Sequence, residues 1–486
     1  MLVLLKQYYD VAIIGGGILG ASIAYFVSAS SSNSVILIEG EKEIAVHASS
    51  RNTGKVHAPF LYDPVNRGRF ARAAYLGYDM LREYCGIFAL PFKQDGVMSV
   101  ATYEKGIDVL HKYLKWGTSN GLQSDELFLI DNNTLSKIEP NIKCLSAIYC
   151  SRDASVNYGT IARHIIHEAS EYGCTVAKGM KVINVNRINK MCEIQIMPTY
   201  PSVSSTLDSL RRYRSENELK IEDSLKFDLF EAGSNYQRSG FKIYVNYLIN
   251  AAGGNAVNIA HQLNIAKEYN NLYFRGEYWR APQEYRRLTK LSIYSVPRFP
   301  EFPFLDPHWV VKYDGSNEIG PNAVPVFSPY GYDLQTNLHS FVPKVLELAK
   351  NSGIAKLVLN GRFIYLLGRE LLSSVSKTAM INRVRKFLPI LKPSLFTQRG
   401  TAGIRSLLVD NHGKLQPELI EFRDENSLHI LNYNSPGATG ALPISASIVS
   451  RLLKNGVLQY NRDNQIRRKE QWDIHTIDSK LNGEPT

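Results

Sequence analysis

Asp10-Val-Ala-Ile-Ile-Gly15-Gly-Gly17-Ile-Leu-Gly20-Ala-Ser-Ile-Ala-Tyr25 is followed ten residues later by Val35-Ile-Leu-Ile-Glu39. Val11–Ile14 and Val35–Ile38 are short, unbroken apolar runs, as expected of parallel strands buried on both faces. Between them, Gly15, Gly17 and Gly20 stand at G-x-G-x-x-G spacing before an apolar helix. In that arrangement the first glycine permits a tight turn, the second admits a pyrophosphate, and the third lets helix and strand pack closely. The helix start adds unpaired N–H groups and positive dipole. Glu39 falls where a carboxylate reaches ribose hydroxyls. Strand, turn, helix, strand and acid in this order predict a dinucleotide site. The same fingerprint serves NAD and FAD.

The other 450 or so residues must build a second layer, since a chain of 486 residues exceeds what one core ordinarily holds. Helical and strand-like segments alternate, which predicts an α/β class. The net charge of +11 attracts anions: a small acidic substrate, a phosphorylated cofactor, an anionic membrane surface or nucleic acid. No recognition helix or zinc spacing accompanies the charge, so nucleic acid is not expected. Cys85, Cys144, Cys150, Cys174 and Cys192 make an odd set without a CxxC pair. They predict no metal site and fit a reducing cytoplasm. No apolar run reaches the roughly 20 residues of a spanning helix, and Leu2–Leu5 run directly into the first strand without room for a cleavable signal. Membrane contact, if made, is peripheral and at the inner face.

Helical spacing of Phe70, Ala74, Met80, Leu81 and Tyr84 predicts a helix over Arg67–Glu83. From Gly96 the chain turns to short alternating segments of a β-rich layer. A helix is expected over Tyr158–Ser170, with strands at Cys174–Ala177 and Lys181–Ile183. Residues 198–240 are polar and read as a surface insertion, after which Val245–Asn250 runs into the glycine turn Ala251–Gly254. Residues 270–400 carry strand-and-turn texture, and a last helix is expected over Ile444–Leu453 after Pro443. The expected division is therefore an α/β nucleotide domain with a Rossmann-like sheet, assembled from 8–85, 150–265 and 400–456. A β-rich substrate domain takes 86–149 and 266–399, and 457–486 form a polar tail, loose or docked.

The stretch Ser49-Ser-Arg-Asn-Thr-Gly-Lys-Val-His-Ala58 resembles the turn after the second strand in the D-amino-acid-oxidase-like superfamily of FAD enzymes. It is most similar to the form in L-2-hydroxyglutarate dehydrogenases and oxidases. Arg275-Gly-Glu-Tyr278, Tyr294–Pro297, Phe302–Leu305 with His308, Gly320-Pro-Asn-Ala323, Gly403-Ile-Arg405 and Ser435-Pro-Gly-Ala-Thr439 follow in that family's order. Arg51, Lys55 and Pro59 depart from it, where histidine, a hydrophobic residue and glycine are common.

The resemblance implies FAD as cofactor. It places Ser49, Ser50, Arg51, Thr53 and Gly54 around the flavin phosphates and ring, and Val182 on the strand toward the adenine. Ala252 and Gly253 fall in a second nucleotide turn. Gly437, Ala438, Thr439 and Gly440 would offer N–H groups to the flavin pyrimidine edge, where negative charge collects on reduction. Oxidising a 2-hydroxy acid further needs a cation for the carboxylate and a base for the hydroxyl proton. Arg405 is the expected clamp, because its fork bonds a carboxylate twice. His308 or His57 is the expected base, as neutral imidazole accepts a proton near physiological pH. Lys377 falls near a basic position of the family and would either assist a second substrate carboxylate or stand solvated at a helix end, and Tyr278 and Asn322 either line the pocket or pack. The electrons would pass to a quinone, another acceptor or oxygen. Amino acids, N-substituted glycines, malate and glycerol 3-phosphate remain alternative donors, as does a flavin-binding partner protein without dehydrogenase activity. Oligomeric state is not legible in the sequence.

Overall fold

In the computed structural model, residues 5–199, 240–299, 302–304, 306–461, 470 and 472–484 are described. The expected insertion at 198–240 lies almost wholly outside them. The glycine-rich segment is strand Tyr8–Ile14, helix Ile18–Ser30 and strand Val35–Glu39. Strand Tyr8–Ile14 sits at the centre of an eight-stranded sheet, paired in parallel with Phe241–Asn250 on one side and Val35–Glu39 on the other. Thr175–Lys178 extends the parallel edge. An antiparallel hairpin, Met180–Ile188 with Met191–Pro198, continues the opposite side. Ser427–Leu431 returns from far along the chain to pair with Phe241–Asn250. Every residue of the first helix is buried, because the helices Tyr158–Glu171 and Gly437–Lys454 cover it. That explains why its sequence is apolar all round.

The second layer is another eight-stranded sheet, in which Val97–Ala101 lies between Ser292–Ser295 and Ser146–Cys150. Its core holds Met98, Ile293, Trp309, Ile319 and Phe387. A three-stranded sheet joins the layers: Gly403–Asp410 pairs antiparallel with Tyr269–Gly276 along eight residues. A smaller sheet pairs Lys55–Val56 with Ala154–Val156. The elements that end at the cavity described below therefore come from both sides of the molecule.

Two expectations are corrected. Residues 270–400 are not uniformly strand and turn, for Leu334–Ala349, Ser352–Val358, Gly361–Val375 and Lys377–Val384 are helices. Their apolar residues lie on both inner and outer faces, which erases the one-sided pattern that marks a helix. The last long helix begins at Gly437 and runs through Pro443. Proline lacks the N–H that would bond the Thr439 carbonyl. That carbonyl instead packs on Gly77 of helix Gly68–Ile87, where an added Cβ would stand 2.0 Å from it. The tail docks: helix Ile474–Asn482 packs on Gly437–Lys454, burying Ile474 and Leu481.

Candidate active site

The first turn is as tight as its glycines demand. A Cβ on Gly15, which has φ +107°, would lie 2.6 Å from the Ala251 carbonyl, and one on Gly20 would lie 1.9 Å from the Gly15 carbonyl. Both neighbours are backbone, so neither can yield. Gly17 begins the helix without a side-chain cap. The hydroxyl of Ser49 accepts from Ile18 N at 2.9 Å, leaving later first-turn N–H groups without helical acceptors. Glu39 accepts from Gly16 N at 2.6 Å and Glu41 N at 2.8 Å. Burial still pushes its carboxyl above the usual range, a condition that further hydroxyl donors would relieve.

One cavity of about 620 Å³ runs from this turn to the second layer, a volume typical of cofactor sites. Glu39, Val182, Ala252 and Gly253 line it at the nucleotide sheet. Ser49, Arg51 and Thr53 line it along the next turn, and Gly437, Ala438 and Thr439 at the start of the last long helix. Gly20 has the helix–strand packing role expected of the third glycine and does not line the cavity. Two expected contacts differ. Ser50 is exposed and lies over Gly159, and Gly54 supplies a turn at φ +73° against the Val156 carbonyl. Gly437 N and Gly440 N are already bonded to Asn434 O and Pro436 O. The N–H groups of Ala438 and Thr439 are therefore the ones left to meet a ligand.

At the far end the cavity is lined by His57, His308, Arg405, Tyr278 and Asn322. Loop residues before strand His308–Val311 hold two of them: Arg405 Nη1 donates to Pro303 O at 2.7 Å, and His308 Nδ1 lies 3.2 Å from Asp306 O. The carbonyl accepts, so the proton sits on Nδ1 and Nε2 is the lone-pair nitrogen. Tyr294 bridges the histidines, its ring 4.2 Å from that of His308 and 6.4 Å from that of His57. Burial first, then nearby positive groups that include Arg405, lowers both imidazoles to about 3. Burial and the charge of Arg67 also lower Arg405. Asn322 is committed to Glu277, accepting from its N at 2.8 Å and donating to its carboxylate at 3.0 Å. Lys377 is outside the cavity: its ammonium donates to Phe396 O at 2.7 Å and lies over the Trp279 ring. The expectation that it assists a substrate carboxylate is corrected accordingly.

Lys55 is fully buried at the cavity wall, where sequence reading saw only a departure from pattern. It pairs with Asp95 at 2.8 Å and Asp153 at 2.9 Å and donates to Ser155 at 3.0 Å. Burial works against the ammonium, but the two carboxylates outweigh it and the net shift is upward. Burial pushes Asp153 up to about 7. Arg51 stacks on Tyr332 at 4.2 Å and donates to Val46 O at 3.1 Å. Nothing local in sequence announces Asp153 or Tyr332 as neighbours of the site, whereas Tyr294 stands in one of the motif pieces.

A glycine cradle that rejects any Cβ, an acid at the sheet edge and a cavity ending at a second helix start fit a dinucleotide carrying a ring system. Residues 10–197 match the family described as FAD dependent oxidoreductase. Those residues form an FAD-dependent oxidoreductase domain, and the cofactor of that domain is FAD. It is 28% identical over 452 residues to "L-2-hydroxyglutarate dehydrogenase, mitochondrial" of Caenorhabditis briggsae, covering 92% of this chain and 93% of that one. It is 29% identical over 449 residues to "L-2-hydroxyglutarate dehydrogenase" of Indibacter alkaliphilus, covering 92% and 99%. Among solved structures, the L-alpha-glycerophosphate oxidase of Mycoplasma pneumoniae shares the fold at TM-score 0.67 and 16% identity, covering 96% of this chain and 100% of that one.

Proposed function

We propose that the enzyme oxidises the α-carbon of a small 2-hydroxy acid, with L-2-hydroxyglutarate the leading candidate. The observation that carries this reading is a single cavity in which Arg405 and two neutral histidines face the region reached by Ala438 and Thr439. The names of the relatives over nine-tenths of the chain support it. Arg405, anchored through Nη1 to Pro303 O, keeps its other N–H groups for the substrate carboxylate. His308 Nε2, or a nitrogen of His57, takes the hydroxyl proton as the α-hydrogen departs with its electron pair. Flavin, when bound, supplies the two-electron acceptor. The N–H groups of Ala438 and Thr439 hold the charge that gathers at the acceptor's edge, and the product is a 2-oxo acid. The test supplies L-2-hydroxyglutarate and a two-electron redox dye and measures 2-oxo acid formed against dye reduced. One-to-one stoichiometry is expected, and release of ammonia from an amino acid at a higher rate overturns the reading.

For the electron acceptor the same proposal takes a membrane quinone. Leu334, Leu338, Leu346, Tyr365 and Val375 on two helices, and Leu359 at the C-terminal cap of the short helix between them, stand 60 to 82% exposed. Lys350, Lys356 and Arg362 are exposed beside them. An apolar face with basic residues supports peripheral seating on an anionic bilayer, and no described helix is long and apolar enough to cross one. The protein should float with phosphatidylglycerol vesicles, and L338D/L346D should not. Equal flotation of both removes this surface from the proposal.

A further inference from the structure

A second cluster of charge lies outside the cavity. Arg298 follows strand Ser292–Ser295, Arg369 lies on helix Gly361–Val375, Arg383 on helix Lys377–Val384, and Lys386 just beyond it. The four surround one small cleft with Asp306, Thr102 and Tyr103. Arg383 pairs with Asp306 and, at 2.8 Å, with Glu370. Arg369 reaches Asp306 at 3.5 Å. Those two carboxylates are shared among the inner arginines, and Arg298 and Lys386 have no acidic partner among the described residues. Two positive charges therefore stand uncompensated at the rim. Burial, then the charges of Arg298 and Arg369, hold Lys386 below its usual range. Arg369 is lowered by burial and then by Arg383. The enclosed part of the cleft, about 20 Å³, suits a single oxygen-sized group.

We propose that Arg298, Arg369, Arg383 and Lys386 form a second anion site, which takes a small multiply charged oxyanion of the phosphate class with one oxygen in the cleft and the others at the basic rim. The site lies against the loop that serves the cavity. Asp306 gives one carboxylate oxygen to the inner arginines and the other to Arg298 N at 3.2 Å, while its carbonyl orients His308. Pro303 of the same loop anchors Arg405. An anion joining Arg298 to Arg369 and Lys386 ties this loop to the helices and steadies both side chains. The inference stands on these contacts and holds for any donor the flavin accepts electrons from.

The test uses FAD-loaded protein in inorganic phosphate or in chloride at equal ionic strength. Phosphate should raise the melting temperature saturably, bind measurably by calorimetry, and lower KM more than it changes kcat. Chloride should do none of these. R298Q/K386Q should lose the phosphate response. In phosphate-free buffer it should melt no lower than the parent, because it removes repulsion between like charges. A parent with no saturable response beyond chloride overturns the proposal, as does a double variant that keeps the full response. A double variant that melts lower without phosphate shows instead that the cluster is a structural brace, and that too overturns it.

Discussion

His57 and His308 are both kept neutral by burial, with folded-state values near 3. A base that stays unprotonated across the working range gives kcat/KM no acid limb of its own, so the rate of flavin reduction should stay level from pH 8 down to about 5. A fall centred near the ordinary imidazole value of about 6.5 would assign the proton elsewhere. H308Q and H57Q separate the two candidates: the one that serves as base should lose roughly 10²- to 10⁴-fold in flavin reduction, and the other far less. R405M should raise KM for the acid with flavin still bound. Loss of charged hydrogen bonds worth about 1.5–3 kcal/mol corresponds to roughly 10- to 150-fold in kcat/KM. Of these side chains, sequence made Arg405, His57 and His308 legible through the pieces they stand in. It could not show that Lys55 finds its acids at Asp95 and Asp153, 40 and 98 positions on, because ion pairing across layers leaves no local pattern.

At the scale of elements, the close approach of helices Gly68–Ile87 and Gly437–Lys454 rests on Gly77. G77A places a methyl 2.0 Å from the Thr439 carbonyl and should cost about 1–3 kcal/mol of stability as the helices separate. It should also reduce FAD content, since Ala438 and Thr439 move with that turn; melting and flavin absorbance per chain measure both. His429 makes a second prediction, in the strand Ser427–Leu431. Fully buried between Asn250 at 2.9 Å and Ser427 at 3.0 Å, it is lowered by burial to about 4. The unfolded chain therefore binds the extra proton between about 6.5 and 4, and the stability due to neutral His429 is present above that window and lost as pH falls through it. Relative to the parent, H429N should gain about 2 kcal/mol between pH 7.5 and 5, read from melting curves at both values. The strand–glycine–helix unit was legible because its glycines and unbroken apolar runs allow little else. The helices within 334–384 were not, because apolar residues on their outer faces mask the inward stripe.

At the scale of the whole molecule, the nucleotide sheet draws strands from residue 8 to residue 431, and the cavity is completed by segments some four hundred positions apart. That long-range assembly was visible only through the order of distant motifs, since no local periodicity encodes which strand joins which sheet. The docked tail belongs to it. Ser447 donates to Asp478 at 2.7 Å, and Lys454 reaches the same carboxylate at 3.1 Å. L481A should cost about 2–5 kcal/mol as a buried large-to-small change. The central claim is that one cavity joins the FAD cradle to a 2-hydroxy acid site, and the direct measurement is flavin absorbance under anaerobic mixing with 2-hydroxy acids, amino acids and glycerol 3-phosphate. L-2-hydroxyglutarate should bleach the flavin fastest, in a single saturable phase that R405M moves to higher substrate concentration. Bleaching by an amino acid or glycerol 3-phosphate, with the hydroxy acids inert, would contradict it.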